Sequence, residues 1–167
     1  AGWADCPLPS EGKEAVDRQS LTLEQEDLIK IVYQANPKTV VALISSFPYA
    51  INWTQEHVPA IVHMTHNSQE LGTALADVLF GDYNPAGRLT QTWVKEITDL
   101  PDFMDYNIRN GRTYMYFKGK PLYAFGHGLS YTTFKYNSID TNSETIAKNG
   151  EVKVVVSVTN TGNVDGD

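Results

Sequence analysis

The chain has 167 residues, of which 41% are hydrophobic and 20% are charged, so it is long enough to bury a hydrophobic core. Its net charge of −7 comes without a cluster of Lys or Arg, which argues against nucleic acid or an anionic membrane as a partner. No apolar run reaches the roughly 18 residues that a bilayer span needs, and no signal-peptide pattern is present. The single cysteine, Cys6, excludes a disulfide within the chain and a cysteine-based zinc site.

The first part of the chain predicts a loop followed by a helix. Residues 1–13 are rich in Gly and Pro and have no helical or strand periodicity, so we expect a lead-in that joins a preceding part of a longer protein. Thr22 and Gln25 fit a capping box, which predicts a helix that starts at Thr22 and runs to about residue 36. Pro37 then ends the helix, because proline cannot continue it.

Residues 39–81 predict an α/β fold. Residues 39–45 and 58–64 are continuous apolar runs, typical of strands covered on both faces in a parallel sheet, and residues 50–56 suit a short helix between them. Residues 68–80 carry apolar side chains at helical spacing and are followed by Gly81, which predicts a helix. This order predicts a layered, mostly parallel sheet flanked by helices, as a partial α/β sandwich domain.

The remaining chain combines an aromatic segment with a strand. Residues 103–136 hold ten of the 18 aromatic residues, which suits either stacking faces for sugar rings or, as we favour, anchors for a long irregular segment. Residues 151–159 alternate valine with other residues, which predicts a β-strand. One strand cannot bury that face, so we expect the start of an incomplete fibronectin-like sandwich, with pairing to the main sheet as the alternative.

Carboxylates are the side chains that best suit catalysis. The four histidines form no metal-binding motif, and motifs for a serine nucleophile or a phosphate loop are missing from the sequence, so we expect neither a metal nor another cofactor. Glu11, Glu14 and Asp17 lie close together just before Arg18, as an acid/base site requires. From spacing alone, a solvated polar loop is the favoured interpretation of these residues.

Four motifs follow one another along the chain: EAVDRQSL at 14–21, NPKTVV at 36–41, QELGTALADVLFGDYNPAGRL at 69–89 and PLYAFGHGLSYT at 121–132. In this order they resemble the C-terminal α/β sandwich domain of glycoside hydrolase family 3, and the similarity covers residues 14–136. Residues 137–167 resemble the start of the fibronectin type III-like domain that follows in that family. The resemblance therefore implies three parts: a lead-in over 1–13, the sandwich domain over 14–136, and an incomplete third domain over 137–167.

The resemblance also implies a mechanism. Members of the family are retaining, exo-acting β-glycosidases whose nucleophilic Asp lies on an N-terminal (β/α)8 barrel, which this sequence does not include. A Glu on a loop of the sandwich domain is the general acid/base, and Glu14 matches its position, with Glu11 as the reserve candidate. Asp17 and Arg18 are expected to pair and to fix the loop. Because it carries one of the two catalytic carboxylates, the chain alone is expected to be inactive.

Substrate, partners and location are also expectations from the resemblance. The run at 111–120 is similar to β-xylosidase members and is shared in part by β-glucosidase-like members, so we expect a β-linked oligosaccharide, with xylo-oligosaccharides ranked first. The expected partner is the barrel of the same protein, and the expected location is the periplasm or the outside of the cell. The alternative is a non-catalytic carbohydrate-binding or structural module of a larger glycosidase.

Overall fold

The computed structural model describes residues 20–66 and 69–166, and these form two compact units. Unit 1 contains residues 20–66 and 88–127, and unit 2 contains residues 69–87 and 128–166. The lead-in at 1–13 lies outside the described residues. The domain boundary expected between residues 136 and 137 stays a prediction.

Unit 1 is built on a two-stranded parallel sheet with two helices. In chain order it contains α1 (Glu26–Ala35), β1 (Val40–Ile44), α2 (Asn52–His57) and β2 (Ala60–Met64). The strands pair in parallel, with Val40 opposite Ala60 and Ile44 opposite Met64. The predicted α/β order, with a parallel sheet and a helix between its strands, is therefore confirmed.

The predicted N-cap of α1, Thr22, is wrong by three residues, since the observed N-cap is Gln25. The Thr22 side chain bonds to Ser20 instead: the two hydroxyl oxygens are 2.7 Å apart, and the Ser20 hydroxyl also accepts from the Thr22 amide at 3.1 Å. A turn follows, in which the Glu26 amide donates to the Leu23 carbonyl at 3.0 Å. The helix begins only after this turn, and the Gln25 side chain makes no cap hydrogen bond.

Glu26, the first residue of α1, joins this helix to α2. Its Oε1 accepts hydrogen bonds from the backbone amide of Thr54 at 3.0 Å and from the Thr54 hydroxyl at 2.8 Å. Thr54 lies in the first turn of α2, where backbone amides have no partner within the helix, and it is completely buried. The Glu26 carboxylate thus supplies a cap from another helix and satisfies a buried hydroxyl.

The core of unit 1 packs around Trp93, which is 3% exposed. Its other buried members are Leu43, Tyr49 and Ile51, and partly buried apolar side chains from residues 23, 41, 61, 89, 122 and 123 surround them. The backbone of Trp93 also pairs in antiparallel fashion with Tyr123, donating to its carbonyl at 2.9 Å. This pairing closes the otherwise irregular residues 88–127 on themselves, and the buried Trp93 side chain packs them against the sheet.

Unit 2 combines a helix with an antiparallel strand pair. Its helix, α3 (Leu71–Phe80), ends at Gly81, whose φ of 85° is the left-handed conformation that favours glycine. The predicted start at Ser68 lies outside the described residues, and Glu70 is the N-cap. The strands β3 (Phe134–Thr141) and β4 (Val154–Asn160) pair with each other in their own sheet, so the alternative pairing with the main sheet is wrong.

Asn84 is the centre of a hydrogen-bond network in unit 2. Its Oδ1 accepts from the Ser130 hydroxyl at 3.1 Å and from the Tyr131 amide at 2.7 Å, and its Nδ2 donates to the Asp165 carbonyl at 3.0 Å. The Tyr131 hydroxyl in turn donates to the carbonyl of Val78 at 2.7 Å. One amide side chain therefore joins the loop after α3 to the residues before β3 and after β4, which lie at the same end of the strand pair.

We predict that Glu26→Ala lowers the free energy of unfolding by about 1–3 kcal/mol, because it leaves the buried amide and hydroxyl of Thr54 without their acceptor. Glu26→Gln should lose less, since its amide oxygen can still accept. The exposed Glu56→Ala on α2 is the matched control and should stay close to the wild type. Denaturant unfolding monitored by tryptophan fluorescence measures all three, and equal stability of Glu26→Ala and the control would contradict the capping role.

Candidate functional site

The predicted acid/base candidate, Glu14, and its reserve, Glu11, lie outside the described residues, as do Asp17 and Arg18. Their roles stay predictions. The structure describes the chain from Ser20 onward, six residues after Glu14, and so describes how the segment that follows the predicted loop is held.

This following segment is fixed to unit 1. The carbonyl of Leu21 accepts from the Ala50 amide at 2.7 Å, and Leu23 packs against the buried core. Residues 20–23 are therefore fixed to unit 1.

Polar residues follow both strands at the carboxyl edge of the parallel sheet, the edge where α/β proteins commonly bind ligands. Ser45 and Ser46 follow β1, His66 lies just after β2, and His63 lies within β2. We call these four residues the carboxyl-edge cluster. A cavity of about 60 Å³ lies here. Ser45, Ser46 and His63 line it together with residues 47, 65, 89–91 and 93, and none of these residues is a carboxylate.

The hydrogen bonds of this cluster indicate a structural role. The Ser45 hydroxyl donates to the Phe47 carbonyl at 2.8 Å, while Nε2 of His63 lies 3.3 Å from that hydroxyl and 3.2 Å from the Ser45 carbonyl. Because a carbonyl can only accept, the network assigns the proton to Nε2. The serine proton thus points away from the histidine, and Ser45 is not an activated nucleophile.

Burial determines the charge of His63. Desolvation lowers the pKa of His63 below its ordinary value of 6.5, and the hydrogen bond to the Ser45 backbone opposes this shift in part. The edge of the ring also contacts Trp93, with ring centroids 5.1 Å apart. The neutral imidazole of His63 therefore packs from β2 against Trp93 of the core.

A larger cleft of about 500 Å³ lies in the irregular part of unit 1 and is lined by residues 99, 109–111 and 116–119. Arg112 fixes the adjoining loop, since its Nε donates to the Asp105 carbonyl at 2.8 Å and its Nη2 donates to the Asp102 carbonyl at 2.5 Å. The pKa of Asp105 is lowered, first by the hydrogen bond from the Asn110 side chain at 2.7 Å. The sequence interpretation missed this cleft: residues 109–119 are rich in cationic and aromatic residues, but this composition does not by itself indicate a cleft.

Within residues 20–66 and 69–166, no group of three or more His, Cys, Asp or Glu side chains is arranged to hold a metal ion. No helix there is long and apolar enough to cross a membrane.

Comparison with known families identifies the class of protein. The Glycosyl hydrolase family 3 C-terminal domain matches residues 6–131, which is most of the chain and includes the elements of unit 1. The chain therefore belongs to glycosyl hydrolase family 3, and the family resemblance inferred from the sequence motifs is confirmed.

Curated relatives include both xylosidases and glucosidases. The chain is 38% identical to a beta-xylosidase of Formosa agariphila over 161 residues, which cover 92% of the chain and 22% of the relative. It is 39% identical to a xylan 1,4-beta-xylosidase of Xylanibacter ruminicola, covering 97% of the chain and 19% of the relative. It is 35% identical to a periplasmic beta-glucosidase of Salmonella typhimurium, covering 92% of the chain and 22% of the relative. The chain thus spans about a fifth of the length of these relatives.

Solved structures agree with the fold. A family 3 beta-glucosidase of Bifidobacterium adolescentis superposes with a TM-score of 0.80 at 30% identity, covering 91% of the chain and 24% of that protein. A beta-D-glucoside glucohydrolase of Trichoderma reesei superposes with a TM-score of 0.78 at 28% identity, covering 90% of the chain and 25% of that protein. The partial α/β sandwich followed by an antiparallel strand pair is therefore the arrangement of this family's C-terminal region.

We predict that acid destabilises the protein through His63. Because burial lowers the pKa of the folded imidazole, the unfolded chain binds a proton first as the pH falls below 6.5, so the free energy of unfolding decreases there. In denaturant unfolding at about pH 7.5 and about pH 5, His63→Gln should lose less stability on acidification than the wild type. His66→Gln, which alters an exposed histidine, should keep the wild-type loss. The same loss in His63→Gln as in the wild type would show that another group is responsible.

Proposed function

We propose that this chain is the C-terminal part of a retaining, exo-acting β-glycosidase, to which it supplies the general acid/base. The observation that carries the proposal is the extent of the family match: residues 6–131 include Glu14 together with Asp17 and Arg18. The active site is completed by a (β/α)8 barrel that carries the nucleophilic Asp. The relatives, about five times as long as the chain, leave room for such a domain.

In the proposed reaction Glu14 acts twice. It first protonates the glycosidic oxygen while the barrel Asp attacks the anomeric carbon and forms a glycosyl-enzyme intermediate. Its carboxylate then takes a proton from the water that releases the sugar, which regenerates the acid. Retaining enzymes need their carboxyl groups about 5–5.5 Å apart, so the acid/base must reach across a domain boundary.

The structure of unit 1 supports a loop in this role. Leu21 and Leu23 hold the end of the loop on the core through a backbone hydrogen bond and apolar packing. Five residues lie between Ser20 and Glu14, so the proposed acid is attached by a short segment to a fixed part of unit 1. A general acid must be positioned at the bond that it protonates, and a fixed attachment point favours this.

We rank β-xylosides ahead of β-glucosides as substrates. Residues 111–120 are similar to β-xylosidase members, and the relatives named as xylosidases are 38% and 39% identical to the chain. Comparing kcat/KM for nitrophenyl β-xyloside and β-glucoside on the full-length enzyme tests the ranking. We also propose a periplasmic or secreted location, as in the relative from Salmonella typhimurium that is named periplasmic.

The decisive prediction concerns Glu14 in the full-length enzyme. Glu14→Ala should slow glycosides with poor leaving groups by about 10²- to 10⁴-fold, and should slow activated aryl glycosides much less in their first step, because they need little protonation. Added azide should attack the intermediate in place of activated water and release a glycosyl azide. Steady-state kinetics over a leaving-group series, with product analysis, measure both effects.

Glu11→Ala is the matched control. A flat leaving-group profile for Glu14→Ala together with a steep one for Glu11→Ala would move the catalytic role to Glu11. Flat profiles for both would favour a non-catalytic carbohydrate-binding or structural module. The 167-residue chain alone should show no turnover above a Glu14→Gln sample, since one catalytic carboxylate does not make a retaining site.

A further inference from the structure

The 500 Å³ cleft of unit 1 has an excess of positive charge. Arg109 and Lys118 line it, and the carboxylate that also lines it, Asp99, is engaged elsewhere. Oδ2 of Asp99 accepts from the backbone amides of Lys95 at 3.1 Å and Glu96 at 3.2 Å, where it caps a short 3₁₀ helix. Within the described ranges the ion pair that forms is between Lys30 and Asp27, so neither cation of the cleft is neutralised by a described carboxylate.

Two aromatic side chains provide the apolar part of the cleft. Tyr116 and Phe117 line it and are partly buried, and their backbone amides both donate to the Thr113 carbonyl, at 3.0 and 2.8 Å. The ring of Phe117 lies against the backbone at Gly119, where a Cβ would be 2.7 Å from the ring carbon Cζ. Glycine at this position therefore lets the ring pack flat on the chain and fixes its place in the cleft.

The frame of the cleft is preorganised by backbone hydrogen bonds. Gly111 has a φ of 96°, which glycine adopts without strain, and this conformation turns the chain after the 3₁₀ helix Ile108–Asn110. Arg112 holds the loop at 102–105 through its three backbone carbonyl contacts, so it is part of the frame and is not free to bind a ligand. Arg109 and Lys118 are thus the cations of the cleft that remain available.

This combination defines a ligand chemistry. A guanidinium binds a planar carboxylate through two parallel hydrogen bonds, an ammonium adds a point charge, and aromatic rings pack against the C–H faces of a pyranose. We propose that this basic aromatic cleft (residues 99, 109–111 and 116–119) binds a carboxylated sugar, a hexuronic acid unit of a branched or acidic glycan, apart from the glycosidic site. The choice of a sugar rests on the proposed function, whereas the choice of an anion rests on the cleft alone.

The test is a titration of the 167-residue chain with glucuronate, followed by NMR of the backbone amides. The amides of Gly111 and Gly119 should shift with saturable binding, while xylose, which has the ring without the charge, and acetate, which has the charge without the ring, should bind at least about tenfold more weakly. Binding should weaken as salt is raised, because the ion pairs lie in an open cleft.

Arg109→Gln and Lys118→Gln should each weaken glucuronate binding severalfold, and the double variant should abolish the shifts. Lys120→Gln removes a cation that does not line the cleft and is the matched control. The melting temperature of each variant is compared with that of the wild type. If the double variant melts at a lower temperature, only the two single variants are used to judge the proposal.

Three outcomes would overturn the proposal: sulfate binding as tightly as glucuronate, xylose binding as tightly as glucuronate, or Lys120→Gln weakening binding as much as Arg109→Gln. The first would indicate a general anion site and the second a neutral sugar site. None of them depends on Glu14, so the leaving-group experiment can succeed while this one fails, and the reverse also holds.

Discussion

The packing of the Trp93 side chain holds unit 1 together. Its indole forms one buried cluster with Leu43, Tyr49 and Ile51, and partly buried side chains of both strands pack against that cluster. Two strands cannot form a stable sheet on their own, because they bury too little apolar surface. The irregular residues 88–127 supply additional cover through this indole, while the backbone pairing of Trp93 with residues 122–123 closes the segment on itself.

Two parts of unit 1 depend on that cover. The segment at residues 20–23 packs through Leu23 against the same core. The basic aromatic cleft is formed within the irregular segment itself, between its fixed points. A further pair of contacts, between the backbones of Leu89 and His127 and of Gly126 and Leu89, closes the segment at its ends. Fold and site are therefore stabilised by one set of loop contacts.

The sequence predicted the elements of unit 1 because their signals are local. Apolar runs and Pro37 locate β1, β2 and the end of α1, and Gly81 locates the end of α3. The predicted start of α1 was wrong because the Ser20 hydroxyl competes for the Thr22 side chain, a contact that helix propensity does not report.

The candidate sites differ in how far the sequence could predict them. Glu14 and Glu11 could be named from a motif alone. The cleft could not be predicted from the sequence. Its frame depends on hydrogen bonds from Arg112 to carbonyls seven and ten residues away, in a segment without periodicity. The pairing of His63 with Ser45 spans 18 residues and is equally invisible to periodicity.

The position of Asn84 before Pro85 affects how the protein ages chemically. Asparagine deamidates when the backbone nitrogen of the next residue attacks the side-chain amide, and a proline nitrogen carries no hydrogen to lose in that reaction. The amide that joins three parts of unit 2 is therefore protected from conversion to a carboxylate, which could not donate to the Asp165 carbonyl. Asn110 and Asn149 each precede a glycine, where the attacking nitrogen is least hindered. Slow deamidation would thus begin at these turns and would leave the hydrogen-bond centre of unit 2 intact.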